Sequence, residues 1–290
     1  MTDVTLTLAL VLLLSVVIGL SLGLLGGGGS ILTVPILVYV AGLDAKTAIA
    51  TSLFVVGSTS AAAVFSHARG GRVKWRTGLL FGLAGMAGAF VGGLLGGHLP
   101  GDLLLVAFAL MMVATSIAML RGRRAADPSR THSELPVFRV LLDGAVVGLV
   151  TGLVGAGGGF LVVPALALLG GLPMSVAVGT SLVVIAMKSF AGLAGYLSTV
   201  QLDWGLTLGV TAAAVVGSII GGRLVGRIPE AALRKAFGWF VLAMGAFVLV
   251  QQAPAEARWA IIGALTAVGV SASVCWNFVR ACPLRRTVHA

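Results

Sequence analysis

Charge is what this chain has least of. Only 10% of its 290 residues are charged, and the nine acids are outnumbered by nineteen lysines and arginines. A soluble domain of this length could not cover itself with so little polar side chain, so a water-soluble globular fold is excluded. All nine acids (Asp3, Asp44, Asp102, Asp127, Glu134, Asp143, Asp203, Glu230 and Glu256) fall in loops or near the ends of apolar runs, Asp143 lying nearest to a span. Cation transporters and proton relays usually keep a carboxylate in the membrane interior, and none is offered here. Histidine is also scarce. His67 lies at a span end beside Arg69 and reads as an interface residue, and His98, His132 and His289 lie in loops or the tail. No histidine is therefore placed to act as a base deep in a span. Cys275 and Cys282 have no histidines at metal-ligand spacing, so neither a disulfide framework nor a metal site is expected. No GxxxxGK[ST] loop occurs, which argues against direct ATP drive within the chain. No basic segment precedes the first apolar run, where Asp3 is the only charge, so a cleaved signal peptide is not expected. No cofactor is implied.

What fills the chain instead is apolar sequence: 58% hydrophobic residues, with a mean hydropathy of +1.10. The apolar runs approach twenty residues rather than alternating over ten, which selects an all-α polytopic membrane protein over a β-barrel. In the first half they fall at about 4–25, 30–42, 47–67, 78–97 and 102–120. In the second half they fall at about 138–155, 159–171, 176–198, 205–222 and 234–252, and one more at about 257–279 has no counterpart.

The halves are related. Gly23-Leu-Leu-Gly26-Gly27-Gly28-Gly29-Ser30 leads to Pro35, and Gly152-Leu-Val-Gly155-Ala156-Gly157-Gly158-Gly159 leads to Pro164. The offset of 129 between the two prolines also carries Thr51-Ser52-Leu53 onto Thr180-Ser181-Leu182. It carries Trp75 onto Trp204, Gly88 onto Gly217, and Gly92-Gly93 onto Gly221-Gly222. A duplication explains this without a gap. Consecutive glycines each cost about 1 kcal/mol of helix relative to alanine, so each run should break its helix. In a bilayer such a break is tolerated where the freed backbone faces protein or a polar cavity, and the restarting helix aims N–H groups there. Close helix packing is the other reading of these glycines. Close packing is also the better explanation for Gly78, Gly82, Gly85, Gly88, Gly92, Gly93, Gly96 and Gly97, which lie along one helix. Each run is followed by an apolar piece of about 13 residues, roughly 20 Å of helix, too short to span.

Basic residues set the expected orientation. Arg69, Arg72, Lys74 and Arg76 form one group, and Arg121, Arg123, Arg124, Arg130 and Arg139 a second. Arg223, Arg227, Arg234 and Lys235 form a third, and Arg280, Arg285 and Arg286 a fourth. All sixteen are cytoplasmic if the N-terminus is periplasmic, the C-terminus cytoplasmic, and each glycine run turns its hairpin back. The loop at Trp75 is basic and its counterpart at Trp204 is not, so the charge bias swaps sides between halves and inverted-topology repeats are expected. The expected organisation is 1–120 as the first repeat, 121–137 as a cytoplasmic linker, 138–252 as the second repeat, and 253–290 as an extra helix and basic tail.

Lys188 lies mid-way along its apolar run. A lysine there costs about 2.5–3.5 kcal/mol on insertion scales and should face protein or water, as the counter-charge of an anion or as a structural pair. The pairs Thr51-Ser52 and Thr180-Ser181 open the helices after each hairpin, where hydroxyls either cap backbone or donate to an oxyanion. The candidate substrate-binding residues are therefore Gly27, Gly28, Gly29, Ser30, Thr51, Ser52, Gly157, Gly158, Gly159, Thr180, Ser181 and Lys188.

The paired glycine runs ending in Pro35 and Pro164, the Thr-Ser-Leu segments and the tandem repeat resemble the TauE/SafE sulfite exporter family, of the toluene sulfonate uptake permease group, over about residues 8–252. The resemblance implies secondary transport of a small sulfur-containing anion, sulfite or a sulfonate such as sulfoacetate, across the bacterial inner membrane by alternating access. Its partners would be the small anionic substrate and the lipid bilayer, not nucleic acid, and homo-oligomerisation is compatible with it. The extra C-terminal stretch departs from the two-repeat pattern. A channel for the same anions is the nearest alternative. A structural membrane subunit and an intramembrane serine hydrolase are more distant ones, the latter because Ser30 has Gly159 as its counterpart.

Overall fold

Apolar segments of this length satisfy their own backbone hydrogen bonds only as helices. The computed structural model describes residues 2–25, 28–121, 137–155, 174–224 and 230–254, with 162, 163, 166, 172, 256 and 258 in addition. Among these, all regular structure is helical. In chain order the α-helices are α1 (Thr2–Leu25), α2 (Thr33–Tyr39), α3 (Ala45–Arg69), α4 (Trp75–His98), α5 (Gly101–Arg121), α6 (Val137–Val154), α7 (Met174–Tyr196), α8 (Trp204–Leu224) and α9 (Glu230–Gln252). Five are long and apolar enough to cross a membrane: those containing Leu6–Leu24, Ala45–Arg69, Trp75–His98, Val176–Tyr196 and Trp204–Leu224. The extra stretch at 257–279 lies outside the described residues apart from Arg258, as do the 121–137 linker, apart from its two ends, and both cysteines.

The first glycine run does interrupt its helix. After α1 ends at Leu25, a 3-10 helix covers Gly28–Leu32 and α2 follows. Together these two pieces rise about 20 Å, well short of a bilayer core. Leu37 of α2 packs with Val11 of α1, fourteen residues before the end of that helix, so the chain folds back along α1. Asp44 then caps α3, its carboxylate accepting from the Thr47 N–H at 3.0 Å. Burial pushes that carboxyl up, but its hydrogen bonds with Thr47 and Lys46 outweigh burial and hold it below the ordinary value.

Two compact units are distinguished. The larger comprises Met1–Leu104 and Asp127–Leu233, the smaller Leu105–Ala126 and Arg234–Ala290. In the smaller, α5 and α9 approach at Gly245, where an added Cβ would lie 3.1 Å from Cβ of Met112. Thr115 and Ser116 of α5 give their protons to the Met111 and Val113 carbonyls of their own helix.

In the larger unit glycines set the helix approaches. On α4, Gly88 and Gly92 lie against the carbonyls of Ala145 and Leu149 on α6, and Gly93 against that of Gly192 on α7. On α8, Gly217 and Gly221 lie against the carbonyls of Val16 and Leu20 on α1. The offset of 129 converts the α4–α6 approach into the α8–α1 approach residue for residue, so each half packs chiefly on the other. Gly78, Gly82 and Gly97 of α4 face Thr180, Met187 and Thr199 in turn, so α4 and α7 run parallel. The end of α3 meets the start of α7: Gly179 faces His67 and the Arg72 carbonyl, and Leu53 near the start of α3 faces Gly192 near the end of α7. Helices α3 and α7 are therefore antiparallel.

Candidate functional site

Helices α3 and α7 are the most enclosed of the long spans, and they carry half of the buried polar side chains among the described residues. On α3 these are Thr51, Ser52, Thr59, Ser60 and His67, and on α7 Thr180, Ser181, Lys188 and Ser189. Apolar contacts fix how the two helices meet. Val56 and Ala63 of α3 pack with Leu182 and Ile185 of α7, joined by Leu22 near the end of α1. At the other side of the crossing, Gly57 lies against Ser189 and Phe190, an added Cβ coming within 3.3 Å of Cβ of Ser189. The Phe54 ring stands edge-on to Phe190 and Trp204, closing the outer margin.

The Thr-Ser pairs lie deeper than the sequence indicated. Thr51 and Ser52 are nearly two turns inside α3, and Thr180 and Ser181 nearly two turns inside α7, because each helix starts several residues earlier than the pair. They do not cap their own helices; that role on α3 belongs to Asp44. Ser52 reaches into the other half instead, its Oγ donating to the Gly155 carbonyl at 3.0 Å. Gly155 follows α6 with φ +75°, and an added Cβ there would run into Ile49 of α3. The entry to the second glycine run is thus seated on α3. Thr180 Oγ1 accepts from the Lys74 N–H at 3.0 Å, and Ser181 donates to the Val178 carbonyl at 2.7 Å. The Ser52 and Ser181 protons are thereby engaged with backbone.

Lys188 is different. It is 1% exposed, its Cβ and Cδ run past Gly85 of α4, and its Nζ has no hydrogen-bond partner among the described residues. Glycine at 85 leaves room for that stem. An ammonium buried without a partner is costly, so the charged form of this side chain needs an anion brought from outside the protein. Ser30 is buried beside the first break. Gly28 and Gly29 start the 3-10 helix, whereas Gly27, Gly157, Gly158 and Gly159 lie outside the described residues.

Three buried groups escaped the sequence reading. Ser60 and Ser189 are fully buried, their Oγ atoms have no partner among the described residues, and the offset of 129 makes them equivalents, a signal that was available. His67 is 4% exposed, with no partner for Nδ1 among the described residues, because Gly179 lets α7 close over it. Its equivalent, Tyr196, donates its hydroxyl to the Leu153 carbonyl at 2.5 Å and so ties the end of α6 to α7.

Comparison with known proteins agrees with this architecture. A probable membrane transporter protein of Xylella fastidiosa (strain 9a5c) is 35% identical over 239 residues, which cover 80% of this chain and 91% of the relative. One from Methanocaldococcus jannaschii is 30% identical, over 67% of this chain and 73% of its own length. The probable membrane transporter protein YdhB of Bacillus subtilis is 27% identical, over 78% and 94%. No solved structure matches the chain. The model of the family described as sulfite exporter TauE/SafE matches residues 11–248, both glycine runs and the α3–α7 crossing included, and to that family the chain belongs.

Proposed function

We propose that the protein is a secondary transporter that carries a small sulfur-containing oxyanion, sulfite or an organosulfonate, across the bacterial inner membrane. The observation that carries this reading is the buried Lys188 side chain, whose Nζ has no partner among the described residues. Family membership and the relatives' names support the transporter class. In this reading the two halves are inverted-topology repeats, with the N-terminus periplasmic and the C-terminus cytoplasmic. The antiparallel course of α3 and α7 and the returning course of α2 support that arrangement. Rocking of one repeat against the other exposes the anion alternately to each side.

The test is flux of radiolabelled sulfite into proteoliposomes preloaded with unlabelled sulfite, sulfate, a sulfonate or chloride. Trans-stimulation by sulfite or the sulfonate is expected. Flux without trans-stimulation would identify a channel, and no flux of any sulfur oxyanion would overturn the reading. Lys188→Met removes the charge at similar length, and should weaken sulfite affinity roughly ten- to a hundred-fold, as for loss of a hydrogen bond to a charged group. Unchanged affinity would remove Lys188 from the site.

A further inference from the structure

Buried hydroxyls on helices normally return their proton to a carbonyl three or four residues back. Ser15 bonds Val11, Thr59 bonds Val55, Thr151 bonds Val147, Ser181 bonds Val178 and Thr211 bonds Thr207 in this way. The buried hydroxyls of Thr33, Ser60, Ser189, Thr207 and Ser218 have no partner among the described residues, and of these five only Ser60 and Ser189 are related to each other by the offset of 129. Both are 0% exposed, both leave Oγ without a partner among the described residues, and the 129 offset relates one to the other. Both belong to the α3–α7 crossing. Ser60 lies between Val56 and Ala63 on the face of α3 that meets Leu182 and Ile185, and Ser189 lies against Gly57. A crossing that needed only small volume would be served by alanine, with no polar atom to bury. Lys188 immediately precedes Ser189 on α7, and its Nζ too has no partner among the described residues.

We propose that Ser60 and Ser189 are substrate-binding residues, a pair of hydroxyl donors that flank the α3–α7 crossing and complete, with Lys188, a seat for an oxoanion of three or more oxygens. The inference rests on the anion-transport reading and names further residues of that same site. Each hydroxyl supplies one proton and the ammonium three, from two opposed helices. A pyramidal or tetrahedral oxoanion such as sulfite, sulfate or a sulfonate head presents an oxygen to each donor. A carboxylate brings two oxygens and a halide one centre to these three donor groups, so an oxoanion of three or more oxygens matches them most evenly. Because the pair is related by the repeat, tilting one half against the other moves the two donors relative to each other, which suits a site that must release its ligand to either side.

The experiment uses the full chain in proteoliposomes, with sulfite as the transported probe and sulfate, acetate and chloride as competitors. Wild type, Ser60→Ala, Ser189→Ala, the double variant and Ser116→Ala are compared for half-saturating sulfite concentration. The sulfite-induced rise in melting temperature is read in detergent on the same samples. Each single alanine is expected to raise half-saturation about tenfold and to shrink the sulfite-induced rise, while the ligand-free melting temperature stays equal or increases. Ser116→Ala, whose hydroxyl is spent on its own helix, should leave affinity unchanged. Sulfate should compete in wild type, with acetate and chloride weaker by at least about tenfold. If an alanine variant does not insert, the matching Ser→Cys variant, a near-isostere with a weak donor, is expected to insert and bind more weakly than wild type. Sulfite flux in wild type with unchanged affinity in the variants overturns the serine seat and leaves anion transport standing. Equal competition by chloride overturns the oxoanion class, and absence of any anion flux in wild type overturns both readings.

Discussion

Lys188 and Asp44 illustrate opposite ways for a charge to live in this chain. The lysine is enclosed, with its stem laid along Gly85 and its Nζ unpartnered among the described residues, so its burial costs stability in the empty protein. Lys188→Met should therefore raise the ligand-free melting temperature while it lowers sulfite affinity, and a lower melting temperature would mark a structural lysine. Asp44 sits at a helix start in water and accepts from Thr47. Asp44→Ala should cost about 1 kcal/mol, read by denaturant titration in detergent micelles. Its carboxyl is held below the ordinary value in the folded protein, so its contribution is complete near neutrality and is lost as pH falls below about 4. The wild-type and Asp44→Ala stabilities should converge in that acidic range, and a constant gap down to pH 3 would rule the cap out as the source.

At the scale of helices, glycine decides which pairs approach closely. Gly88 and Gly217 are equivalent positions, and a Cβ at either would collide with a backbone carbonyl, of Ala145 or of Val16, which cannot swing aside as a side chain can. Gly88→Ala or Gly217→Ala should force α4 from α6, or α8 from α1, at a cost of about 1–3 kcal/mol. Gly209, on the same helix as Gly217, has only Leu12 Cδ2 nearby at 3.6 Å. Gly209→Ala should be neutral or stabilising by up to about 1 kcal/mol from helix propensity alone. Equal melting temperatures for Gly209→Ala and Gly217→Ala would show that the close approach carries no energy. Gly155 is constrained twice, by φ +75° and by Ile49, so Gly155→Ala should loosen the Ser52 bond and reduce both stability and flux.

For the whole molecule the discriminating quantity is sidedness. Trp75 and Trp204 are equivalent, each begins a helix, and each is about half exposed, as suits an aromatic side chain at a membrane surface. Single cysteines at 75 and 204, in a chain freed of Cys275 and Cys282, should label from opposite faces of the membrane, cytoplasmic and periplasmic respectively. Labelling of both from one side would refute inverted repeats and the alternating-access scheme built on them, while leaving the family assignment intact.

Sequence alone determined the membrane class, the positions of the described helices and the duplication, because the length of an apolar run and an ungapped offset of 129 need no knowledge of neighbours. It also singled out Lys188, since a charge in an apolar run is conspicuous whatever surrounds it. It could not say where a hydroxyl proton goes. Ser52, Ser60 and Ser181 look alike in an apolar helix, yet Ser52 bonds Gly155 of the other half, Ser181 bonds its own helix, and Ser60 bonds nothing described. That choice depends on a rotamer and on a helix 100 or more residues away along the chain. His67 shows the same dependence: its place at a helix end does not reveal that Gly179 admits α7 against it. Helix formation is a local property of the apolar run, while the partnering of buried polar groups is settled only when the α3–α7 crossing brings the two halves together.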